Sequence, residues 1–272
     1  MDWEQTKLLP KVSYDLKLLS KEFAKDFIQT HHYSPVMPRL TKHFLGFFVE
    51  DKCVGILTLG WGTQPRQTIN KMFTGLESKD YWEIGKMCMT DAMPKNSESQ
   101  MISHAIRWIK ENQPTKQFLY TMADGIMGKC GYVYQASNFL YGGKYFTQVY
   151  DINGEKVHPR TTNKLCQENA KFVGKEKVFW LTSDFMKHKG IKKIEGYMFR
   201  YIYPLNKKAK RLMKHSNMDW VRTYPKDHDL KWFDKTSNPK FQIEKPHFTY
   251  DNVVYNAKNI GMGATLRDLL WN

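Results

Sequence analysis

The chain has 272 residues, and its 41% hydrophobic and 14% aromatic content suffices for the core of one α/β domain with a sizeable extension. The net charge of +15 favours a polyanionic partner, most often nucleic acid. No run of 18 apolar residues occurs, which excludes a membrane-spanning helix, and we expect no secretory leader. The four cysteines form no CxxC pair, so we expect neither a cysteine zinc site nor a disulfide framework, as in a protein of the cytoplasm.

The positive charge is concentrated in residues 171–214, which hold 13 lysines and arginines and three acids. Basic side chains follow a phosphate backbone, and the aromatic residues interleaved with them can stack on an unpaired base. Residues 197–204 also alternate as a strand does, which explains the same tyrosines equally well. We predict DNA contacts from nine residues of this segment: Lys187, Lys189, Lys192, Lys193, Arg200, Lys207, Lys208, Lys210 and Arg211.

The first half of the chain predicts a helix, a hairpin and a strand. Apolar residues at steps of three and four predict an amphipathic helix over residues 11–31. Two apolar runs around a turn at 50–52 predict a β-hairpin, and the polar residues 63–80 predict a loop. A strand is predicted over 81–89.

A helix with its own start signal follows. Ser97 and Gln100 match a capping box, and the helical stripe continues to about residue 111. Residues 117–123 form a short apolar run that predicts the next strand. Many α/β folds share this order of elements, so the order alone identifies none of them.

The second half of the chain is more polar. Residues at about 151–175 predict an insertion, whereas 178–182 and 197–204 are apolar enough to be strands that complete the sheet. We therefore divide the chain into a domain over 1–205 and a basic, polar extension over 206–272 that packs on or near it.

Several polar residues occupy positions where an α/β fold places its chemistry. Asp124 follows an apolar strand and fits a general base, a metal ligand or a turn aspartate. His32 follows the first predicted helix; histidine titrates near neutral pH and binds metals, although a lone histidine is more often structural. Ser99 fits either the first turn of a helix or a hydroxyl that holds a carboxylate or carbamoyl oxygen.

Four sequence elements together resemble the motif set of the Mom family of bacteriophage DNA-modification proteins: EIGK (83–86), PKNSES (94–99), AD (123–124) and GKCGYVYQASNFLYG (128–142). The resemblance covers roughly residues 30–145. It implies a GNAT-like (acetyltransferase-like) α/β fold, with a mixed central sheet flanked by helices. It also implies a transferase that adds a small carbamoyl- or acyl-type group to a base of phage DNA, adenine at N6, in the host cytoplasm and so protects the DNA from restriction.

The resemblance also implies which residues act. It assigns catalytic roles to six residues: His32, Tyr33, Lys86, Ser99, Asp124 and Tyr134. The family has an arginine where this chain has Lys86, which keeps the charge but loses the two-pronged hydrogen bonding of a guanidinium. Proteins of the family are associated with iron, and imidazole, phenolate and carboxylate groups suit that metal. The ligands implied are His32, Tyr33, Asp124 and Tyr134.

The donor of the transferred group is a small molecule that the sequence does not identify. Acetyl-CoA enzymes of this fold hold the pyrophosphate in a glycine-rich loop before a helix. Residues 90–103 occupy that position, contain no glycine and include Asp91 and Glu98, which argues against acetyl-CoA. Two alternatives stay open, a CoA-dependent N-acyltransferase acting on a small amine or protein, and a non-catalytic DNA-binding protein.

Overall fold

The computed structural model describes residues 12–32 and 37–248, apart from the side chain of Arg160. The strands are β1 (Asp15–Leu18), β2 (His43–Val49), β3 (Lys52–Gly60), β4 (Tyr81–Met89), β5 (Phe118–Asp124), β6 (Leu140–Ile152), β7 (Glu155–Val157), β8 (Lys192–Pro204), β9 (Trp232–Asp234) and β10 (Phe241–Ile243). The helices are α1 (Lys21–His31), α2 (Pro65–Met72), α3 (Ser97–Asn112), α4 (Tyr132–Ala136), α5 (Asn163–Phe172), α6 (Ser183–His188) and α7 (Lys207–Leu212).

The strands form one sheet in the order β1-β2-β3-β4-β5-β8-β6-β7, and β9 and β10 extend it from β8. Within the described residues the pairings are antiparallel, apart from the parallel pair β4–β5. This mixed sheet with flanking helices confirms the predicted α/β class. No helix in the described ranges is both long and apolar enough to cross a membrane.

Helices cover both faces of the sheet. Leu45 and Leu57 pack in the core that also contains Ile102 of α3, whereas Phe44 and Ile56 pack with the buried residues of α1. Successive side chains of a strand point to opposite faces, so α1 and α3 lie on opposite sides of the sheet. Each such buried side chain stabilises the fold by about 1.5–3 kcal/mol relative to an exposed one.

The sheet opens between β4 and β5. The two strands pair only over residues 81–83 and 118–120, and the rest of each strand diverges from the other. In the same region Leu57 pairs with Met87 and Leu59 with Ile84, so β4 contains one residue more than β3 there. This β-bulge and the divergence of the strands together create a gap in the sheet, which is a common setting for an active site.

The hairpin, the strands predicted at 81–89, 117–123 and 197–204, and the helix that ends near residue 111 are confirmed. The helix predicted over 11–31 is wrong in its first half. Strand β1 pairs with β2 there, and α1 begins only after Ser20, whose hydroxyl accepts the N–H of Phe23. The apolar spacing is compatible with both structures, and pairing with the edge of the sheet decides between them.

Two further predictions are wrong. The loop predicted over 63–80 contains α2 and a turn of 3-10 helix. Residues 178–182 form no strand: Val178 and Leu181 are buried, but the two aromatic residues between them are exposed. The apolar run of five residues predicted a buried strand. The sequence alone cannot distinguish a strand from a loop in so short a run, because the tertiary contacts decide which of its side chains are buried.

The part of the extension that is described packs on the sheet. The indole of Trp220 stacks on the ring of Phe73 and lies so close to Gly142 of β6 that a Cβ atom at Gly142 would clash with it. Residues of α7 contribute to the same core as β5. The boundary at 205/206 stays a prediction.

Candidate active site

A cavity of about 620 Å³ lies where β4 and β5 diverge. Its wall contains four of the six residues that the sequence singled out, namely His32, Lys86, Asp124 and Tyr134. They come from the end of α1, from β4, from the end of β5 and from α4. The fold therefore gathers residues that are far apart in the chain, although their roles stay predictions.

Lys86 lies in the bulge of β4. Its backbone N–H donates to the hydroxyl of Thr58 at 2.8 Å, so a side chain supplies a hydrogen bond where the strand register slips. Burial, together with the nearby charge of Lys156, lowers the pKa of Lys86 to about 7, while the carboxylate of Asp124 acts in the opposite direction. Lys86 lines the cavity, yet the enclosing protein atoms remove much of the hydration of its ammonium, so the group exchanges its proton near neutral pH.

Asp124 is held by several donors at once. Its Oδ1 accepts the N–H groups of Ile126 at 3.1 Å and Met127 at 3.4 Å, which caps the 3-10 helix Gly125–Met127. Its Oδ2 forms an ion pair with Lys156, and the two side chains are 19% and 18% exposed. The turn-capping interpretation is thus correct, and the same carboxylate also faces the cavity.

Tyr134 and His32 complete the set. The ring of Tyr134 packs 5.5 Å from the ring of Tyr201, and burial raises the pKa of the Tyr134 phenol, which therefore stays protonated at neutral pH. Its neighbour Tyr132 is half exposed. The backbone N–H of His32 caps α1 by donating to the carbonyl of Ile28 at 2.9 Å.

Ser99 lines a neighbouring cavity of about 590 Å³ at the N-terminus of α3, and His32 and Tyr132 line both cavities. Its hydroxyl donates to the carbonyl of Asn96 at 2.8 Å. The capping box predicted at Ser97 is wrong, because Asn96 occupies the N-cap position. The hydroxyl of Ser97 is fully buried and has no hydrogen-bond partner among the described residues.

The implied iron ligands are only partly described, because Tyr33 lies outside the described residues. Asp124 is already paired with Lys156, and the raised pKa of Tyr134 disfavours the phenolate that iron prefers. Within 12–32 and 37–248, no three His, Cys, Asp or Glu side chains are grouped so as to hold a metal ion. The ion pair of Asp124 and the protonated phenol of Tyr134 therefore do not favour iron, and iron binding stays a prediction.

Glu83 is a site residue that the prediction of catalytic residues missed. Its Oε2 accepts the N–H of Gly62 at 3.2 Å, and burial raises the pKa of the Glu83 carboxyl to about 7. It stands at the last paired position of β4 before the gap. The available signal was an acid inside an apolar strand, three residues before Lys86.

A second, larger cavity of about 830 Å³ meets the first through the gap in the sheet. The residues common to both walls are Glu83, Gly85, Met122, Asp124 and Met198. The larger cavity is lined by both basic and aromatic side chains, including Arg39, Lys71, Arg200, Trp61, Tyr120 and Tyr145. The guanidinium of Arg200 lies 4.3 Å from the ring centroid of Tyr145.

The nine basic residues predicted to contact DNA do not form one cluster. Arg200 lines the larger cavity, whereas the others lie near the two ends of β8. A strand rises about 3.3 Å per residue, so the ends of β8 are about 40 Å apart. The exposed members are Lys187, Lys189 and Lys192 before and at the start of β8, and Lys207, Lys208, Lys210 and Arg211 on α7; Lys193 is half-buried.

Known proteins resemble this chain across the elements that form both cavities. A model of the Mom protein family matches residues 13–226. The methylcarbamoylase Mom of Escherichia phage Mu is 30% identical over 211 residues, which cover 78% of this chain and 83% of that protein.

Among solved structures, an N-acetyltransferase from Staphylococcus aureus aligns at 13% identity with a TM-score of 0.37, over 71% of this chain and 99% of its own. An acetyltransferase from Bacillus subtilis in complex with CoA aligns at 11% identity with a TM-score of 0.35, over 71% of this chain and all of its own. TM-scores this low support no functional argument. The match to the family model and the identity to the phage Mu protein are sufficient by themselves, and they show that the chain belongs to the Mom protein family.

Proposed function

We propose that this protein is a transferase that adds a small carbamoyl-type group to the N6 amine of adenine in phage DNA and thereby protects the DNA from restriction. The observation that carries the proposal is the pair of cavities that meet at the gap between β4 and β5. Two substrates that enter from separate cavities can react where the cavities meet. Membership of the Mom family and the likeness to a methylcarbamoylase support a group-transfer reaction.

The larger cavity suits the base. A nucleobase paired in a duplex cannot reach an enclosed site, so it must be extruded or already unpaired. Tyr145 and Trp61 offer rings on which a base can stack, and Arg39, Lys71 and Arg200 offer cations for the phosphates beside it. The exposed lysines of α7 extend the positive surface along the DNA backbone.

The smaller cavities suit the donor. The N-terminus of α3 at Ser99 presents backbone N–H groups, and Tyr134 in α4 presents a hydroxyl group; both can orient a carbonyl-containing molecule. His32 lies between them, since it lines both of these cavities. Asp124, held by its ion pair with Lys156, lies at the junction with the larger cavity.

The reaction needs a proton acceptor for the amine and a cation for the carbonyl oxygen. The adenine amine nitrogen attacks the donor carbonyl carbon, Glu83 accepts the proton that the nitrogen loses, and the leaving group of the donor departs. Lys86 in its protonated form stabilises the negative charge that develops on the carbonyl oxygen. Both groups have pKa values of about 7, so each exchanges a proton readily under neutral conditions.

Mass spectrometry of nucleosides tests this function. DNA is isolated from cells that express the wild type, Glu83→Gln, or Glu77→Gln as a matched control at an exposed acid. We expect an adduct of deoxyadenosine with the wild type and the control but not with Glu83→Gln, and its mass identifies the group added. Only the four standard nucleosides with the wild type, even with phage factors co-expressed, would contradict the proposal.

The donor and the metal need separate measurements. Titration calorimetry with acetyl-CoA tests the CoA-dependent alternative, for which Lys95 and Lys129 in the cavity at α3 provide cations, against the acids Asp91 and Glu98 in the same wall. Tight binding would revive that alternative. For iron, metal analysis of the purified protein and adduct formation in cells grown with an iron chelator decide whether the metal is required.

A further inference from the structure

Phe179 and Trp180 are adjacent large apolar side chains that the fold leaves exposed, at 74% and 57%. They lie in the loop between α5 and α6, and the residues on either side of them, Val178 and Leu181, are buried. Single exposed apolar residues are ordinary, but two neighbouring aromatic rings on an anchored loop indicate a binding surface.

The loop is fixed from beneath. Asn169 of α5 is fully buried; its Nδ2 donates to the carbonyl of Trp180 at 2.8 Å, and its Oδ1 accepts the hydroxyl of Thr182 at 2.8 Å. Leu181 packs with Phe185 in the small core of this part of the chain. The aromatic pair is therefore held in position before a partner arrives, which lowers the entropic cost of binding.

The surroundings of the pair are basic. Exposed Lys171, Lys175 and Lys177 precede it, and the ammonium of Lys177 lies 4.9 Å from the ring centroid of Phe179. Glu176 is the single acid between residues 171 and 180. Charge complementarity thus favours a polyanion that also offers apolar surface, and stacked bases flanked by phosphates have both properties.

The pair is also connected to the larger cavity. Lys156, His158 and Thr161 line that cavity, and Val157 packs in the same small core as Leu181. The same small core therefore supports both the aromatic pair and part of the wall of the larger cavity, which we propose binds the base.

We propose that Phe179 and Trp180 form a wedge that enters the base stack of duplex DNA and fills the space left by the extruded base. The inference rests on the proposed function, because only an enzyme that acts on a base needs to extrude one. Apolar side chains inserted between base pairs unstack them, and the three lysines would contact the phosphates on either side. No bond is made or broken in this step.

Fluorescence of 2-aminopurine, an adenine analogue that brightens on unstacking, tests the wedge. The full-length wild type, the double variant Phe179→Ala/Trp180→Ala and the control Phe241→Ala, which removes another exposed ring, are titrated into duplexes that contain the analogue in random sequence contexts. We expect the wild type and the control to raise the fluorescence. The double variant should leave it at the level of free duplex and bind duplex about tenfold more weakly, with binding to single strands unchanged.

An equal rise of fluorescence with the double variant would overturn the wedge. So would sedimentation showing that the wild type self-associates and the double variant does not, because the pair would then be an interface between copies. Circular dichroism and thermal unfolding verify that the double variant is folded. If the fluorescence depends on the pair but wild-type cells contain no adducted nucleoside, the wedge stands and the proposed modification fails.

Discussion

The ammonium of Lys156 forms an ion pair with the carboxylate of Asp124 and so joins β7 to the end of β5. Both residues line the larger cavity, and their charges act in opposite directions on the pKa of Lys86. The segment predicted as an insertion, about residues 151–175, is therefore linked through Lys156 to the protonation of Lys86 in the candidate active site.

Lys156→Met should destabilise the fold by about 2 kcal/mol, because it leaves a largely buried carboxylate without its charged partner. Urea unfolding of this variant, of Asp124→Asn and of the double variant gives the coupling free energy of the pair. The exposed pair Lys17–Asp15 is the matched control, and its coupling should be about 0–0.5 kcal/mol. Equal coupling free energies in both pairs would mean that Lys156 does not stabilise the buried carboxylate of Asp124.

The rate of group transfer should depend on pH as a bell with its maximum near 7. Glu83 accepts a proton only after it is ionised, which happens as pH rises through about 7, whereas Lys86 loses its charge as pH rises through about 7. Lys86→Arg should remove the fall above neutral pH, because a guanidinium keeps its proton there. Rates of adduct formation from pH 5.5 to 9 test this.

If the rate of Lys86→Arg still falls above neutral pH, then a group other than Lys86 causes that fall. Glu83→Gln should lower the rate across the whole pH range, because it cannot accept a proton at any pH. The exposed variant Glu77→Gln should reproduce the wild-type profile.

Lys86 should also make stability depend on pH. Its pKa is about 7 in the folded protein and 10.5 when unperturbed, so the unfolded chain binds more protons between these values and stability rises with pH there. Below pH 7 the ammonium of Lys86 is charged in the folded protein, so the whole free-energy cost of burying that charge applies. Lys86→Met should therefore raise the melting temperature more at pH 6 than at pH 10. An equal shift at both pH values would show that the pKa of Lys86 is not lowered by folding.

The sequence predicts those elements whose apolar residues recur at the spacing needed to pack one side of the element into the core. Strand β4 and helix α3 are examples, since Trp82 and Ile102 pack into one core at the spacing that each element requires. Strand β1 could not be predicted in the same way, because its four residues become a strand only by pairing with β2.

The candidate site was predictable only in part. Motif resemblance identified Lys86 and Asp124, which line one cavity. The pKa of Glu83 results from burial, and the partner of Asp124 comes from a later strand, so both depend on tertiary structure. The exposure of Trp180 could not be predicted either, because the sequence of an apolar run does not show which of its side chains the fold buries.

Ser97→Ala should stabilise the protein. The hydroxyl of Ser97 is buried without a partner among the described residues, so its removal relieves about 1 kcal/mol of desolvation cost, and alanine also favours the helix. Ser20 is the matched control, because its hydroxyl caps α1 by accepting the N–H of Phe23 at 3.2 Å. Ser20→Ala should cost about 1 kcal/mol.

Urea unfolding of the two serine variants should therefore give free-energy changes of opposite sign. Both replacements remove the same atom at the start of a helix, so their difference isolates the hydrogen bond that one hydroxyl makes and the other lacks. If Ser97→Ala destabilises the protein as much as Ser20→Ala, then the Ser97 hydroxyl has a partner, and α3 begins with the capping box that its sequence indicates.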